Sequence, residues 1–372
     1  MEQKRDRIAP RRGSPHCPFP EDLELRAKEL HQKCFVADAH YDLLNLIARK
    51  RIEGGRRGSV FAEDYLETLQ KSGVNMIVSS VFLDSSHVPE LALRRALDQL
   101  ACLHEELDRS PGLALCRTAE EVRRACARGQ IALMLSFEGA EPLGQDLRLL
   151  RVFYELGVRG LGLVWNRRNA AADPAALRPL PGGREGGLTP WGRELVQEAE
   201  RLGMYIDVSH LNDQGFYDLC ACARKPFMAS HSNCRALTPV LRNLTDEQLS
   251  LMAERGGVIG MNSCSDFVQL STGDPADARS LARHARRVKE LAGPSMLCLG
   301  LDFCNEFADS DWNGACDCMD YYDHAWELTA ALLECGFSDG EIQGLLGGNL
   351  LGFIERVQKA PAGAFAEPPF EV

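Results

Sequence analysis

Ile206-Asp207-Val208-Ser209-His210 and Phe227-Met228-Ala229-Ser230-His231 are short apolar runs that each end in Ser-His. One helix-length segment separates them, so they read as neighbouring parallel strands with an imidazole emerging at the C-terminal end of each. A histidine closing a strand is commonly a satisfied structural residue. The repetition turns the reading towards a pair of ligands, provided other segments bring oxygen donors to the same rim.

The same grammar extends outward in both directions: an amphipathic helix, a glycine, then a short apolar strand. It recurs in Lys71-Ser72-Gly73-Val74, Glu155-Leu156-Gly157-Val158, Arg201-Leu202-Gly203-Met204 and Glu254-Arg255-Gly256-Gly257, where glycine can take the left-handed conformation that ends a helix. Eight strands are expected, near residues 35–38, 75–82, 131–137, 160–164, 205–208, 226–229, 257–261 and 296–301. Helices are expected over Glu21–His31, Thr118–Ala127 (opened by the capping box Thr118-x-x-Glu121), Leu147–Leu156, Gly192–Leu202, Thr245–Ala253, Tyr321–Leu333 and Asp339–Lys359. Eight is the closed number, so the pattern predicts an α/β fold, a (β/α)8 TIM barrel, spanning residues 21–359 as one catalytic domain. A proline-rich flexible arm, residues 1–20, and a Pro/Ala-rich tail, residues 360–372, flank it. An open doubly wound sheet is the alternative, but no glycine-rich phosphate turn follows the first strand. Ala170–Pro190 and Phe303–Asp320 read as long loops at the catalytic end, lid or pocket-wall candidates.

With 45 % hydrophobic residues in 372, the chain can bury a large core. A formal net charge of −11 repels phosphate polyanions, which argues against nucleic acid or an anionic membrane surface and for a small-molecule or peptide substrate. The start is basic (Lys4, Arg5, Arg7, Arg11, Arg12) but no hydrophobic segment follows it, so the expected location is cytoplasmic. The 14 cysteines are scattered through apparent helices and strands, as buried reduced thiols would be. Cys220-x-Cys222 and Cys316-x-Cys318 are too tightly spaced and too far apart for a zinc site, and read as helix packing and a loop.

Side chains two apart on an extended segment point the same way, so His40-x-Asp42 can turn one imidazole and one carboxylate to the barrel mouth, a pairing that suits zinc. Asp42 could equally cap the following turn. Glu138 directly follows the apolar run Ile131–Phe137, where an unpaired carboxylate is costly, so it either coordinates a cation or pairs with a base. With His210 and His231 these residues make a set of five at strand C-terminal ends, the face where barrel enzymes build their sites. Glu138 bridging two zinc ions, His40 and Asp42 on one and His210 and His231 on the other, uses every ligand and leaves room for water. A hydroxide shared by the two ions suits amide hydrolysis. Asp302, at the end of the last strand, could move a proton or hold an ammonium, or be a helix cap. Arg242 could clamp a carboxylate, or be an exposed arginine.

Val36-Ala37-Asp38-Ala39-His40-Tyr41-Asp42, Phe137-Glu138-Gly139, Ile206-Asp207-Val208-Ser209-His210, Ser230-His231-Ser232 and Gly300-Leu301-Asp302-Phe303 resemble, in this order, the membrane (renal) dipeptidase family of zinc peptidases. The similarity runs from about residue 30 to Gly348-Asn349-Leu350-Leu351. It implies a (β/α)8 barrel of the metallo-dependent hydrolase type holding two Zn2+ and hydrolysing dipeptides, some with a C-terminal D-residue. Carried over, His40 and Asp42 are ligands of one zinc, Glu138 is the bridge, and His210 and His231 are ligands of the other. The resemblance makes Arg242 the substrate-binding arginine and Asp302 the aspartate of amine binding or proton transfer, and it implies a homodimer. Two departures stand out. Trp165 in Leu163-Val164-Trp165-Asn166 aligns with a substrate-contacting histidine of the mammalian members, so Trp165 or Asn166 takes over that contact, and Cys304 replaces a second aspartate. The lack of a leader or lipid-anchor tail points to a soluble, bacterial-like member. Other readings keep the metals with an N-acyl amino acid, another small amide or a lactone as substrate, or make the chain a metal-retaining binding protein without turnover.

Overall fold

The computed structural model describes residues 17–175, 186–271, 273–304, 306 and 316–359. The arm up to residue 16, the tail, and the middle of each long loop expected from the sequence lie outside the described residues. Nine strands are present among the described residues: β1 (Val36–Tyr41), β2 (Val74–Phe82), β3 (Leu113–Leu115), β4 (Ile131–Glu138), β5 (Val158–Gly162), β6 (Tyr205–Asp207), β7 (Met228–Ser232), β8 (Val258–Met261) and β9 (Leu297–Leu299). All pair in parallel, and eight close a barrel in the order β1-β2-β4-β5-β6-β7-β8-β9. The ladder from Met76↔Ala132 to Phe82↔Glu138 joins β2 to β4. Closed rings of this kind need helices on the outside, because every strand is buried on both faces.

The eight expected strands are the eight of the ring. The ninth, β3, was not foreseen. It pairs through Leu113↔Ile131 with the first residues of β4, on the edge that β5 takes up only from Leu135 onward. Boundaries moved where polarity misleads. β7 starts two residues later than expected and continues through Ser230-His231-Ser232, all buried, because the rim of this barrel is polar inside. Gly73, Gly157, Gly203 and Gly256 all have positive φ, between 70° and 115°, the conformation that ends each preceding helix at little cost only for glycine.

Local signals account for most helix ends. Thr245 and Gln248 form a complete capping box, whereas at Thr118 only half of one forms, because the Glu121 carboxylate takes the Arg117 N–H at 2.6 Å instead. The expected helix from Tyr321 is split into a turn, Tyr322–His324, and a helix, Trp326–Glu334. Tyr322 points inward and its hydroxyl donates to Asp38 Oδ2 at 2.6 Å. The last expected helix breaks at Gly344–Gly348, where Gly347 lies so close to β1 that a Cβ would stand 2.4 Å from the Phe35 carbonyl oxygen. All 14 cysteines are free thiols, and no helix among the described residues is long and apolar enough to cross a membrane.

Two seams of the barrel are thin. One residue pair joins β1 to β9 (Asp38↔Leu299) and one joins β6 to β7 (Asp207↔Met228). At each seam a buried aspartate stitches the strands. Asp38 Oδ1 accepts from the N–H of His40 at 3.1 Å and of Leu301 at 3.0 Å. Asp207 Oδ1 accepts from the N–H of Ser209 and of Ser230, both at 2.9 Å. Charge-assisted bonds to backbone donors compensate much of the desolvation that makes a buried carboxylate expensive.

His284, on the outer helix Ala278–Ala292, gives the fold a pH sensitivity. Its Nδ1 accepts the Cys234 N–H at 3.1 Å and its Nε2 faces the Val268 carbonyl at 3.2 Å. Burial pushes its pKa down to about 4. A folded pKa below the unfolded value of about 6.5 means stability present above pH 6.5 and lost as pH falls towards 4. Between pH 7 and pH 5 this group removes about 2 kcal/mol of folding stability. Urea unfolding at both pH values should show His284→Gln flattening the decline by that amount; an unchanged slope would refute it.

Candidate metal centre

The C-terminal mouth of the barrel holds a cavity of about 320 Å³ lined by Asp42, Glu138, Trp165, Asn166, His210, Arg242 and Asp302 among others. His40 and Glu138 are strand residues, on β1 and β4; Asp42 lies just past β1, His210 past β6, His231 within β7 and Asp302 past β9. His210 and Asp302 adopt positive φ, 68° and 52°, an unusual conformation for residues with a Cβ, and both line the cavity. The Asp302 N–H is tied to the His40 carbonyl at 3.1 Å, so the first and last strands are joined at the site itself.

The five residues chosen from the sequence meet at one place. Glu138 Oε2 lies 3.5 Å from His40 Nε2, while Glu138 Oε1 lies 3.2 Å from His210 Nε2 and 3.8 Å from His231 Nε2. Asp42 Oδ1 is 3.9 Å and Asp302 Oδ1 3.7 Å from His40 Nε2. Two overlapping groups, His40 with Glu138 and His231, and His40 with Asp42 and Asp302, bring their donor atoms within 4.8 Å of one another, near enough to share an ion. The second group adds Asp302 as a possible oxygen donor, a function that the sequence did not suggest.

A divalent cation fits the donor set. His40 Nε2 and Glu138 Oε2 are buried without a hydrogen-bond partner, and orphaned buried polar atoms are rare in folded proteins. The carboxylates of Asp302, Glu138 and Asp207 act on the buried guanidinium of Arg242. Burial pushes Asp42 up to about 7 and raises Glu138 and Asp302, while burial lowers His210 and His231 well below the usual imidazole range. A bound cation reverses the carboxylate shifts and takes the imidazoles in the neutral form that burial already favours.

Around these residues stand their supports. Ser80 Oγ donates to Asp42 Oδ1, and the Asn262 amide donates to Asp302 Oδ2 at 3.1 Å. Arg242 is buried rather than exposed, 3 % accessible, with one nitrogen 3.3 Å from the His231 carbonyl oxygen and its guanidinium 5.3 Å from the Phe267 ring centre. Trp165 packs edge-on to Phe82 with ring centres 4.9 Å apart, and lies 6.3 Å from the His210 ring. Asn166 lines the cavity and also places Oδ1 2.8 Å from His210 Nδ1. Cys304 lines the cavity too, its thiol donating to Asp317 Oδ1 at 3.3 Å. Sequence reasoning did not assign Asp38, Asp207 or Ser230. A charged residue inside an apolar strand was the available signal for both aspartates.

Comparison with known proteins identifies the family of the chain. A family model described as membrane dipeptidase (peptidase family M19) matches residues 24–366. The dipeptidase tcpJ of Claviceps purpurea is 28 % identical over 323 residues, covering 86 % of this chain and 71 % of that protein. The structure of dipeptidase AC, a metallopeptidase of family M19, is similar with a TM-score of 0.75 at 29 % identity, covering 88 % of this chain and 99 % of its own. A metallopeptidase from Rhodobacter sphaeroides, solved with a phosphinate mimic of the dipeptide L-Ala-D-Ala, is similar with a TM-score of 0.74 at 28 % identity, covering 87 % of this chain and 99 % of its own. With a closed parallel barrel, a ligand cluster at its mouth and a family match over most of its length, this chain belongs to the membrane dipeptidase family, peptidase family M19, and is a metallopeptidase.

Proposed function

We propose that the chain is a zinc-dependent dipeptidase that hydrolyses the peptide bond of dipeptides, including those with a C-terminal D-residue. The observation that carries the reading is the division of Glu138, one oxygen turned to His40 and the other to His210 and His231. A carboxylate split in this way suits a bridge between two zinc ions, with His40 and Asp42 holding the first and His210 and His231 the second. The chemistry that such a pair supplies is activation of a water near neutral pH and polarisation of the scissile carbonyl.

The chain's own residues bind, orient and move protons. Arg242, buried at the wall of the cavity, holds the terminal carboxylate of the substrate, and the low dielectric around it strengthens that pairing. Asp302 takes a proton from the attacking water and returns it to the leaving nitrogen, and Asn262 fixes the orientation of its carboxylate. A cavity of about 320 Å³ enclosing both roles suits a substrate of two residues. The D-residue is supported by the Rhodobacter sphaeroides relative and its L-Ala-D-Ala mimic.

Purified protein should carry two equivalents of zinc and cleave members of a dipeptide panel that includes L,D pairs. Chelation should abolish cleavage and zinc restore it. Metal-replete protein inert on every dipeptide would refute the reading. Trp165, where mammalian members have histidine, forms an aromatic wall of the cavity with Phe82. Removing it in Trp165→Ala forfeits about 1.4 kcal/mol of contact with a bulky substrate side chain, so kcat/KM for such dipeptides should fall about tenfold while zinc content is unchanged. Equal losses on Gly-Gly and on bulky dipeptides would show that Trp165 does not read the side chain.

A further inference from the structure

The two imidazoles of the Ser-His corners are backed by chemically different partners. Behind His231, Nδ1 lies 2.7 Å from Ser230 Oγ, and Ser230 Oγ donates to Asp207 Oδ2. Behind His210, Nδ1 lies 2.8 Å from the amide oxygen of Asn166. We infer that Asp207, acting through Ser230, and Asn166 are positioning residues of the metal centre: they force both imidazoles into the Nδ1–H form with bare Nε2 atoms turned to the site, and hold His231 as the stronger ligand. The inference rests on the reading of this cluster as a metal site.

The hydrogen placement follows from what each group can do. An ionised carboxylate only accepts, so the Ser230 hydroxyl hydrogen is committed to Asp207 and Ser230 Oγ can only accept from the ring. An amide oxygen also only accepts, so His210 carries its hydrogen on Nδ1 as well. Both Nε2 lone pairs then face inward, and the two nitrogens stand 2.9 Å apart with Glu138 Oε1 3.2 Å and 3.8 Å away. Three acceptors at these distances with no hydrogen among them repel one another, and a cation is what satisfies all three. The same carboxylate also sets where the ligands stand. Asp207 Oδ1 accepts the N–H of Ser209, the residue before His210, and of Ser230, the residue before His231. The His231 N–H in turn donates to Ser209 Oγ at 3.1 Å. One side chain therefore registers both corners at the seam where the ladder has a single residue pair. A carboxylate relayed to an imidazole raises its basicity as a ligand, whereas an amide orients the ring without adding charge.

Metal affinity tests this without reference to turnover. Metal-free full-length protein is titrated with Zn2+ against a chromophoric chelator, and Co2+ is used for its visible absorption, which reports the ligand field. Ser230→Ala should weaken Zn2+ binding about 10–100-fold and shift the Co2+ bands, with the circular-dichroism spectrum of the metal-free protein still that of the folded state. Asn166→Ala should weaken it less than Ser230→Ala. Asn166→Asp, a change at a half-buried position that does not endanger folding, places a carboxylate behind His210 and should tighten Zn2+ binding about tenfold. Zinc curves for Ser230→Ala or Asn166→Asp that superimpose on wild type, an Asn166→Ala loss exceeding that of Ser230→Ala, or wild-type protein that takes up no divalent ion would each overturn the inference. Wild-type protein that binds zinc and cleaves no dipeptide sinks the proposed activity instead, and leaves these titrations decisive for Asp207, Ser230 and Asn166.

Discussion

Glu138→Ala is expected to abolish dipeptide hydrolysis, lowering kcat by at least about 10⁴-fold, equivalent to about 5 kcal/mol of barrier. Glu138 is the one residue in the cluster whose two oxygens face different histidines, His40 on one side and His210 and His231 on the other. Removing it takes away the anion that His40 on one side shares with His210 and His231 on the other, so the spacing between the two sides is no longer held. Glu138→Gln separates the two contributions. It keeps the shape and loses the charge, and should retain the fold while zinc content falls below two equivalents. Steady-state rates on a cleaved dipeptide, with metal content by elemental mass spectrometry, check both variants. A Glu138→Ala protein with more than a tenth of wild-type activity would refute the bridging role proposed for Glu138.

The second large effect is on folding. Gly300→Ala is expected to destabilise the protein by about 3–5 kcal/mol, at or beyond the upper end of ordinary overpacking. A Cβ at Gly300 would stand 1.8 Å from the Ser230 carbonyl oxygen and 2.8 Å from Gly260 Cα, and one at Gly260 would meet the same oxygen at 1.8 Å. The obstructing atoms are backbone, so no side-chain rotation relieves them. β7, β8 and β9 approach this closely just below Ser230-His231, so the strain falls on the corner that carries the proposed ligand His231. Urea midpoints of wild type and Gly300→Ala measure the loss, and zinc titration of the folded fraction should show weaker binding. A loss under about 1 kcal/mol would mean that the strands part easily and that the close approach is not a constraint.

Much of the fold was legible because barrel strands and their covering helices follow local periods. Gly73, Gly157, Gly203 and Gly256 marked four helix ends correctly, and Thr245 with Gln248 marked a helix start. β3 escaped because three residues are too few to show a pattern. The β7 boundary slipped because Ser230, His231 and Ser232 look like the end of a strand by polarity, yet they are buried by closure of the ring. Arg242 was open to a bland reading as an exposed cation, and only packing shows it sealed beside Phe267 and the His231 carbonyl.

The sequence by itself determined the alternation of elements, the closed count of strands, and which donor types would arrive at the strand ends. Each of these depends on residues a few positions apart. Only the tertiary structure decided that Glu138 divides its oxygens between two groups, that Asp302 comes within reach of His40, and that Asp207 and Asn166 stand behind the imidazoles. Those relations join side chains from distant strands, and their distances exist only once the ring has closed and the thin seams at Asp38 and Asp207 have set how the strands meet.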